Sequence, residues 1–143
     1  MLPELESGGV EQGTLEIGKY LVAHGHRSIV ISAGGSMVPQ LQDEGSEHIS
    51  LPVGKKSLST LRYISKVKKI LVQEKPDVLH LRSRFPAWIG YLAWKKIPAI
   101  NRPTLITTVH GRYSVNKYSG IMMRGEKVIA VSQMIKKYII DNY

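Results

Sequence analysis

Five short apolar runs, each containing β-branched residues, alternate along the chain with segments of helical pattern. The runs are SIVISA (28–33), HISLP (48–52), DVLHL (77–81), TLITTV (104–109) and KVIAVS (127–132). They are apolar almost throughout rather than at every second residue, which is typical of strands covered on both faces of a parallel sheet. Helices are predicted at Gly9–Ala23, Ser57–Lys75, Ala87–Lys96 and Gln133–Asn142. The alternation predicts an α/β fold with a doubly wound parallel sheet.

The ends of the predicted helices carry their own signals. Gly25 is placed to end the first helix in a left-handed conformation. Ser57 can cap the second helix and Pro76 stops it. Between these two residues, an apolar stripe marks the buried side of the second helix. Its members are Leu58, Leu61, Ile64, Val67 and Leu71.

Length and composition indicate which classes of protein this chain can belong to. A chain of 143 residues suits one domain with a single core. The chain has no cysteine, which fits a reducing compartment. No apolar run reaches 18 residues, and the amino terminus lacks a basic and then apolar signal. We therefore expect a cytoplasmic protein, with association at the inner face of the membrane left open.

Charge is unevenly distributed. Residues 1–50 carry seven acidic and two basic side chains, a net charge of −5. Residues 51–143 carry eighteen basic and four acidic side chains, a net charge of +14. Such a basic segment favours an anionic partner, although a solvated lysine-rich surface explains a single basic run equally well.

A pair of glycines, Gly8 and Gly9, stands at the mouth of the first predicted helix. Glycines there let the backbone approach an anion closely, and the helix offers free N–H groups and a positive dipole end. The segment SGGVE is not the G-x-G-x-x-G dinucleotide fingerprint. A tight turn with no ligand remains the alternative.

Basic residues follow two further strands, where ligands bind in doubly wound sheets. Arg82 and Arg84 come after DVLHL, and His110 with Gly111 comes after TLITTV. With a strand order of 3-2-1-4-5, the glycine loop and the arginine loop are neighbours, and the grouping would suit a phosphate or phosphosugar. In the alternative, one arginine pairs with an acid between Glu4 and Glu11, and His110 only caps its strand. His80 is interpreted as a core residue.

Four segments together resemble one known family. They are ELESGGVEQGTLEIGKYLVAHGHRSIVIS, KPDVLHLRSRFPAW, TLITTVHGRYS and KVIAVSQMIKKYI. They are similar to the amino-terminal domain of glycosyltransferase family 4, whose members are retaining enzymes of the Rossmann-like GT-B fold, several of them in lipopolysaccharide and surface glycan synthesis. The resemblance implies transfer of a sugar from a nucleotide-sugar to a hydroxyl acceptor, which can be lipid-linked, with no cofactor and no bound metal.

The resemblance also implies roles for single residues. Gly8 and Gly9 face the donor diphosphate and the acceptor, and His110 contacts the transferred sugar. The loop with Arg82 and Arg84 lines the acceptor side. Gly111 adjoins His110 in the same motif, and Ser132 lies near the cleft. The donor sugar, nucleotide, acceptor and linkage are not specified.

Two departures from the family pattern shape our expectations. We expect the donor-binding domain to be absent, and residues 1–143 to form a single Rossmann-like, acceptor-side domain that is inactive by itself. The first strand is shortened to MLPEL. We expect Leu2–Leu5 to form a stub of strand, rather than a strand borrowed from a second copy or a sheet that closes directly, because buried backbone groups need partners.

A non-catalytic basic module is the alternative function. The residues Arg62, Lys66, Lys68 and Lys69 of the second predicted helix would contact anionic lipid or nucleic acid. Few aromatic residues are interleaved with these bases, so nucleic acid is not expected as a partner. An anionic membrane surface is compatible with both functions.

Overall fold

All five predicted strands form in the computed structural model, which describes residues 1–55 and 57–143 and all of their side chains except that of Leu58. The strands are β1 (Ile29–Ser32), β2 (Glu47–Ser50), β3 (Val78–Leu81), β4 (Thr104–Val109) and β5 (Lys127–Ala130). β1 pairs with β2 in one sheet, and the second sheet has the order β3-β4-β5. Every pairing is parallel.

The described residues also form five α-helices. They are α1 (Gly9–Ala23), α2 (Val38–Asp43), α3 (Tyr63–Glu74), α4 (Arg84–Lys95) and α5 (Gln133–Asn142). α1 precedes the first strand, α2, α3 and α4 connect successive strands, and α5 follows the last strand. Short 3-10 helices lie at Leu58–Arg62, Ala99–Asn101 and Ser119–Met123. The bounds of α1 and α5 are those predicted, whereas α2 and the 3-10 helices were not predicted. α4 begins three residues before its predicted start, because Pro86 fits the first turn of a helix, where no N–H is needed.

The chain divides into two compact units. The amino-terminal unit comprises Leu2–Lys56, and the carboxy-terminal unit comprises Met1 with Ser57–Tyr143. The amino-terminal unit contains α1, β1, α2 and β2. The carboxy-terminal unit contains the three-stranded sheet with α3, α4 and α5.

In the amino-terminal unit, Leu2–Leu5 lies alongside β1 and the loop that follows it. The Leu2 N–H donates to the Ile31 carbonyl at 3.2 Å, and the Ala33 N–H donates to the Pro3 carbonyl at 2.9 Å. Leu2 and Leu5 are both fully buried in a core with Leu15, Val30 and Leu41. The segment thus follows β1 through backbone hydrogen bonds, as predicted for the stub, although residues 2–5 do not form a regular strand.

Gly35 closes the loop after β1. Its φ is +140°, and a Cβ placed there would collide with the carbonyl of Leu5. The Met37 N–H donates to that same carbonyl at 2.9 Å. The loop and the amino-terminal segment thus pack backbone against backbone, which only glycine permits at this position.

In the carboxy-terminal unit, the apolar stripe differs from the predicted one. Tyr63, Val67 and Leu71 are buried along α3, whereas Leu61 is 47% exposed. The predicted Leu58 side chain lies outside the described part of the chain. Leu61 leaves the stripe because residues 58–62 form a 3-10 helix with three residues per turn, so the buried face of α3 is set by its own 3.6-residue period.

The two other signals at the ends of this helical segment are confirmed. The Ser57 hydroxyl accepts a hydrogen bond from the Ser59 N–H at 3.3 Å, so it caps the 3-10 helix. α3 ends at Glu74, before Pro76, and its C-cap Lys75 has a left-handed φ of 44°. Gly25, with a φ of +79°, follows α1 as predicted.

The prediction that every strand is covered on both faces is wrong for β5. Val128 is 38% exposed and Ile129 is 46% exposed. β5 pairs with β4 along one side, at the edge of its three-stranded sheet. An apolar run therefore indicates a parallel strand here without indicating burial.

Candidate functional site

Arg82 and His110 follow neighbouring strands of the carboxy-terminal unit. β3 pairs with β4 in a parallel register that sets Leu81 opposite Thr107. Parallel strands end at the same edge of a sheet, so the residues after β3 and β4 share that edge. Arg82 is only 6% exposed, and its backbone N–H donates to the Met1 carbonyl at 3.1 Å. A buried guanidinium and an imidazole are thus present at the edge where ligands bind in α/β sheets.

His80 lies on β3, two residues before Arg82, and is half-buried and hydrogen-bonded, so the interpretation as a core residue is supported only in part. Its Nε2 lies 2.7 Å from Thr108 Oγ1. Burial, together with the nearby amino terminus, Arg82 and His110, lowers the pKa of the imidazole from 6.5 to about 3. His80 is therefore neutral at pH 7, and His110 is close enough to contribute to its electrostatic environment.

His110 is half-buried and begins a loop that returns on itself. Its backbone N–H donates to the Tyr113 hydroxyl at 3.3 Å. Gly111 has open space where a Cβ would lie. The backbone beside His110 is consequently accessible to a ligand at the strand end.

Arg84 is the first residue of α4, and its guanidinium is engaged within the unit. The carbon at its centre lies 4.7 Å from the ring centroid of Tyr113 and 5.5 Å from that of Tyr118. Its Nη1 donates to Ser119 Oγ at 3.3 Å. The role of Arg84 at the acceptor side remains a prediction, and these contacts give it a second role.

Ser132 follows β5 and is the N-cap of α5. Its Oγ accepts a hydrogen bond from the Ile135 N–H at 3.2 Å. β5 is parallel to β4, so Ser132 lies at the same sheet edge as His110. Its hydroxyl is thus used for helix capping, and its place near a cleft remains a prediction.

Gly8 and Gly9 belong to the amino-terminal unit. Gly8 is the N-cap of α1 and accepts from the Gln12 N–H at 2.9 Å, while Gly9 begins the helix. Both glycines are exposed, and a Cβ at Gly9 would meet nothing within 4 Å. The two glycines thus lie at the amino terminus of a 15-residue helix, as the sequence predicted, but the Glu11 carboxylate lies beside Gly8, where a Cβ would be. That the glycines join the Arg82 and His110 edge remains a prediction.

Two hydrogen-bonded pairs of the amino-terminal unit were missed from the sequence. The Glu6 carboxylate accepts from both the N–H and the hydroxyl of Ser36, and these bonds lower the pKa of Glu6. His48 Nε2 lies 2.8 Å from Ser32 Oγ, and burial lowers the pKa of His48. Both pairs join residues that are 16 or 30 positions apart, for which local patterns give no signal.

The basic residues predicted to contact an anionic surface lie on and just before α3. Arg62, Lys66 and Lys69 are exposed, and Lys68 is half-buried. Arg62 and Lys66 both lie over the Tyr63 ring, at 5.1 and 5.4 Å from its centroid. Within residues 1–55 and 57–143, no helix has the length and apolar character needed to cross a membrane. In the same ranges no group of three or more potential metal ligands occurs.

The two parallel sheets, their crossover helices and the polar strand ends define a Rossmann-like α/β protein, as predicted. The chain belongs to glycosyltransferase family 4, whose family model matches residues 7–143. A comparison with curated proteins found no match.

Two solved structures are similar over almost the whole chain. A glycosyltransferase from Rickettsia africae is 37% identical, with a TM-score of 0.81 over 98% of this chain and 38% of that one. A protein described as a UDP-N-acetylglucosamine 2-epimerase from Listeria monocytogenes is 14% identical, with a TM-score of 0.63 over 99% of this chain and 42% of that one. The second likeness concerns the fold alone. The chain thus spans about two fifths of the length of the structures that it matches.

Proposed function

We propose that residues 1–143 form the acceptor-side domain of a retaining glycosyltransferase. The enzyme would move a sugar from a nucleotide-sugar to a hydroxyl acceptor, in lipopolysaccharide or surface glycan synthesis. Membership of glycosyltransferase family 4 supports sugar transfer. One observation carries the assignment of a site. The buried Arg82 and His110 follow neighbouring parallel strands and so lie at one edge of the sheet.

In this proposal each strand-end residue has one task. The oxygen of the acceptor hydroxyl bonds to the anomeric carbon of the sugar while the bond from that carbon to the diphosphate oxygen breaks, and the hydroxyl proton passes to the leaving diphosphate. His110 would contact the transferred sugar, with Gly111 leaving space beside it. Arg82, whose guanidinium stays charged when buried, would stabilise negative charge that develops on the leaving diphosphate. Gly8 and Gly9, in the amino-terminal unit, would present helix N–H groups to an anion, and Ser132 would line the cleft.

The proposal is tested by ligand binding to the isotopically labelled chain. We expect core oligosaccharides of lipopolysaccharide to shift amide resonances at residues 82, 110 and 111, and His110→Ala to weaken the response. His26→Ala is a matched control, because His26 is exposed in the amino-terminal unit. Shifts that are confined to other residues, or that are unaffected by His110→Ala, would contradict the proposed site.

A sugar-transfer assay tests whether residues 1–143 provide only the acceptor side of the enzyme. We expect the 143-residue chain to give no transfer from nucleotide-sugars to these oligosaccharides, because we propose that it provides the acceptor side. Product formation by the purified chain would refute that part of the proposal.

The basic surface supports a second candidate function, contact with an anionic membrane. Arg62, Lys66 and Lys69 are spaced by four and three residues, so they lie along one side of the helical segment. Lysines near an anionic membrane contribute on the order of 1 kcal/mol each. This contact is compatible with a glycosyltransferase that acts on lipid-linked acceptors.

Vesicle co-sedimentation tests this surface. The triple variant K66E/K68E/K69E should lose binding to vesicles that contain phosphatidylserine. K127E/K136E/K137E is the matched control, because it removes the same charge from exposed lysines elsewhere in the unit. Equal loss in both variants would mean that net charge, and not this surface, mediates binding. Binding of an RNA control instead of vesicles would favour a nucleic-acid module.

A further inference from the structure

The loop that carries His110 closes around a single side chain. The loop spans residues 110–119, and its two ends meet at the Arg84 guanidinium. The Tyr113 ring contacts it from the start of the loop, and the Tyr118 ring with the Ser119 hydroxyl contacts it from the end. One cation therefore joins two parts of a loop that are five residues apart.

Tyr113 connects this cation to His110. Its ring lies at 4.7 Å from Arg84, and its hydroxyl accepts from the His110 backbone N–H at 3.3 Å. Its carbonyl accepts from the Tyr138 hydroxyl on α5. Three separate contacts thus fix Tyr113, and one of them fixes the backbone at His110.

The far end of the loop is held in the same way. Trp88 Nε1 on α4 donates to the Tyr118 carbonyl at 3.1 Å. The Ser119 N–H donates to Asn116 Oδ1 at 2.8 Å. Burial raises the pKa of the Tyr118 phenol, while the positive charge of Arg84 acts in the opposite direction. The phenol is therefore neutral at pH 7 and provides a ring face to the guanidinium.

The position of Arg84 itself needs explanation. It is the first residue of α4, and a cation at a helix amino terminus is unfavourable because it meets the positive end of the dipole. Stacking on two aromatic rings compensates for this, since a guanidinium is planar and weakly hydrated. The neighbouring Arg112 lies in the same loop but is exposed.

We propose that Arg84 is a positioning residue, which sets the place of His110 by holding Tyr113 and Tyr118 on either side of its guanidinium. The inference rests on the proposed function only for the task of His110. The order of the loop and its dependence on Arg84 can be measured without any sugar substrate.

Amide hydrogen exchange of the full chain is the test. With Arg84→Met, exchange at residues 110–119 should become about tenfold faster, because a desolvated cation–π pair and a hydrogen bond are lost, while the strands β3 and β4 keep their rates. The His110 ring resonances should shift in the same variant. Arg84→Lys keeps a cation over the rings without the planar fork, so it should restore part of the protection and part of the ring shift.

Two further variants separate this role from general stability. Arg112→Met removes a charge from the same loop and should leave both measurements at their original values. Tyr113→Phe removes only the hydroxyl, so exchange at His110 should rise while Ser119, whose N–H donates to Asn116 Oδ1, stays protected.

Each outcome bears on the proposal. Unchanged exchange at 110–119 in Arg84→Met would overturn it, as would an equal rise throughout the unit in Arg84→Lys. If Arg84→Met fails to fold, the Lys and Tyr113→Phe variants supply the same comparison. A loosened loop together with glycan binding that does not depend on His110 would leave the positioning intact and refute the proposed function instead.

Discussion

Lowering the pH from 7 to 5 should weaken the carboxy-terminal unit, and His80 should account for a defined part of the loss. The buried amino group of Met1, whose pKa is lowered from 8.0 to about 5, acts in the same direction. Burial, with nearby positive charge, lowers the pKa of the His80 imidazole from 6.5 to about 3. The unfolded chain therefore takes up a proton as the pH falls through 6.5, whereas the folded chain takes it up only near pH 3. Since the unfolded state binds more protons between these values, the free energy of unfolding decreases as the pH falls.

The size of this loss of stability follows from how far the pH falls below the pKa of the unfolded chain. Each pH unit below the unfolded pKa costs about 1.4 kcal/mol, so pH 5 costs about 2 kcal/mol relative to pH 7. A loss of this size is a large fraction of the stability of a typical domain. The positive groups that face His80 are the amino terminus, Arg82 and His110.

The assay is urea denaturation followed by tryptophan fluorescence. Both tryptophans, Trp88 and Trp94, lie on α4, so the signal reports on the unit that contains His80. The comparison variant is His80→Gln, whose amide nitrogen can replace Nε2 at Thr108 Oγ1 and does not titrate. The wild-type chain should lose about 2 kcal/mol more than His80→Gln between pH 7 and pH 5.

The buried amino group of Met1 donates to the His80 carbonyl and titrates in the same pH range, but both chains carry it, so most of its contribution cancels in this comparison. The pKa of His48 is also lowered by burial, but His48 lies in the amino-terminal unit. Equal pH dependence in the wild-type chain and in His80→Gln would refute the reasoning, as would an NMR titration of the His80 ring between pH 7 and pH 5.

Three smaller changes test single backbone features. Ser132→Ala removes the cap of α5 and should lower the free energy of unfolding by about 1 kcal/mol in urea denaturation, whereas the exposed Ser114→Ala should not. Lys75→Gly relieves a left-handed φ of 44°, but it also gives the unfolded chain more freedom, which offsets part of the gain. The free energy of unfolding should therefore rise by about 0.5 kcal/mol. A lower thermal midpoint would contradict this prediction. Gly35→Ala should cost about 2 kcal/mol or more in thermal denaturation followed by circular dichroism, because its Cβ meets the Leu5 backbone, whereas a stable variant would show that the loop can move away.

The strands and the longer helices were predictable because their signals are local. Apolar runs bounded by turn residues marked all five strands, and TLITTV marked β4 to the residue. Burial was less predictable, since the same apolar character occurs in the buried β4 and in the exposed β5. Whether a strand is covered depends on which elements pack against it, and its own sequence does not record that.

The candidate site was predictable to the extent that it depends on strand order. Placing β3 beside β4 is enough to bring Arg82 and His110 to one edge. The contacts of Arg84 could not be predicted, because Tyr113, Tyr118 and Ser119 reach it only when a loop about ten residues long closes. The capping role of Ser132 was available from the sequence, since a serine directly before a helical segment is a common N-cap.

The open space at Gly9 and Gly111 has a consequence for how related sequences are compared. Gly35 is fixed by its own surroundings, so its presence in a relative indicates only that the same loop is formed. At Gly9 and Gly111, by contrast, a Cβ would meet no other atom within 4 Å, and packing imposes no requirement for glycine. Glycine retained at these two positions across many relatives would therefore record selection by a molecule that approaches from outside the chain. Substitution there would mark relatives that have changed, or lost, what they bind.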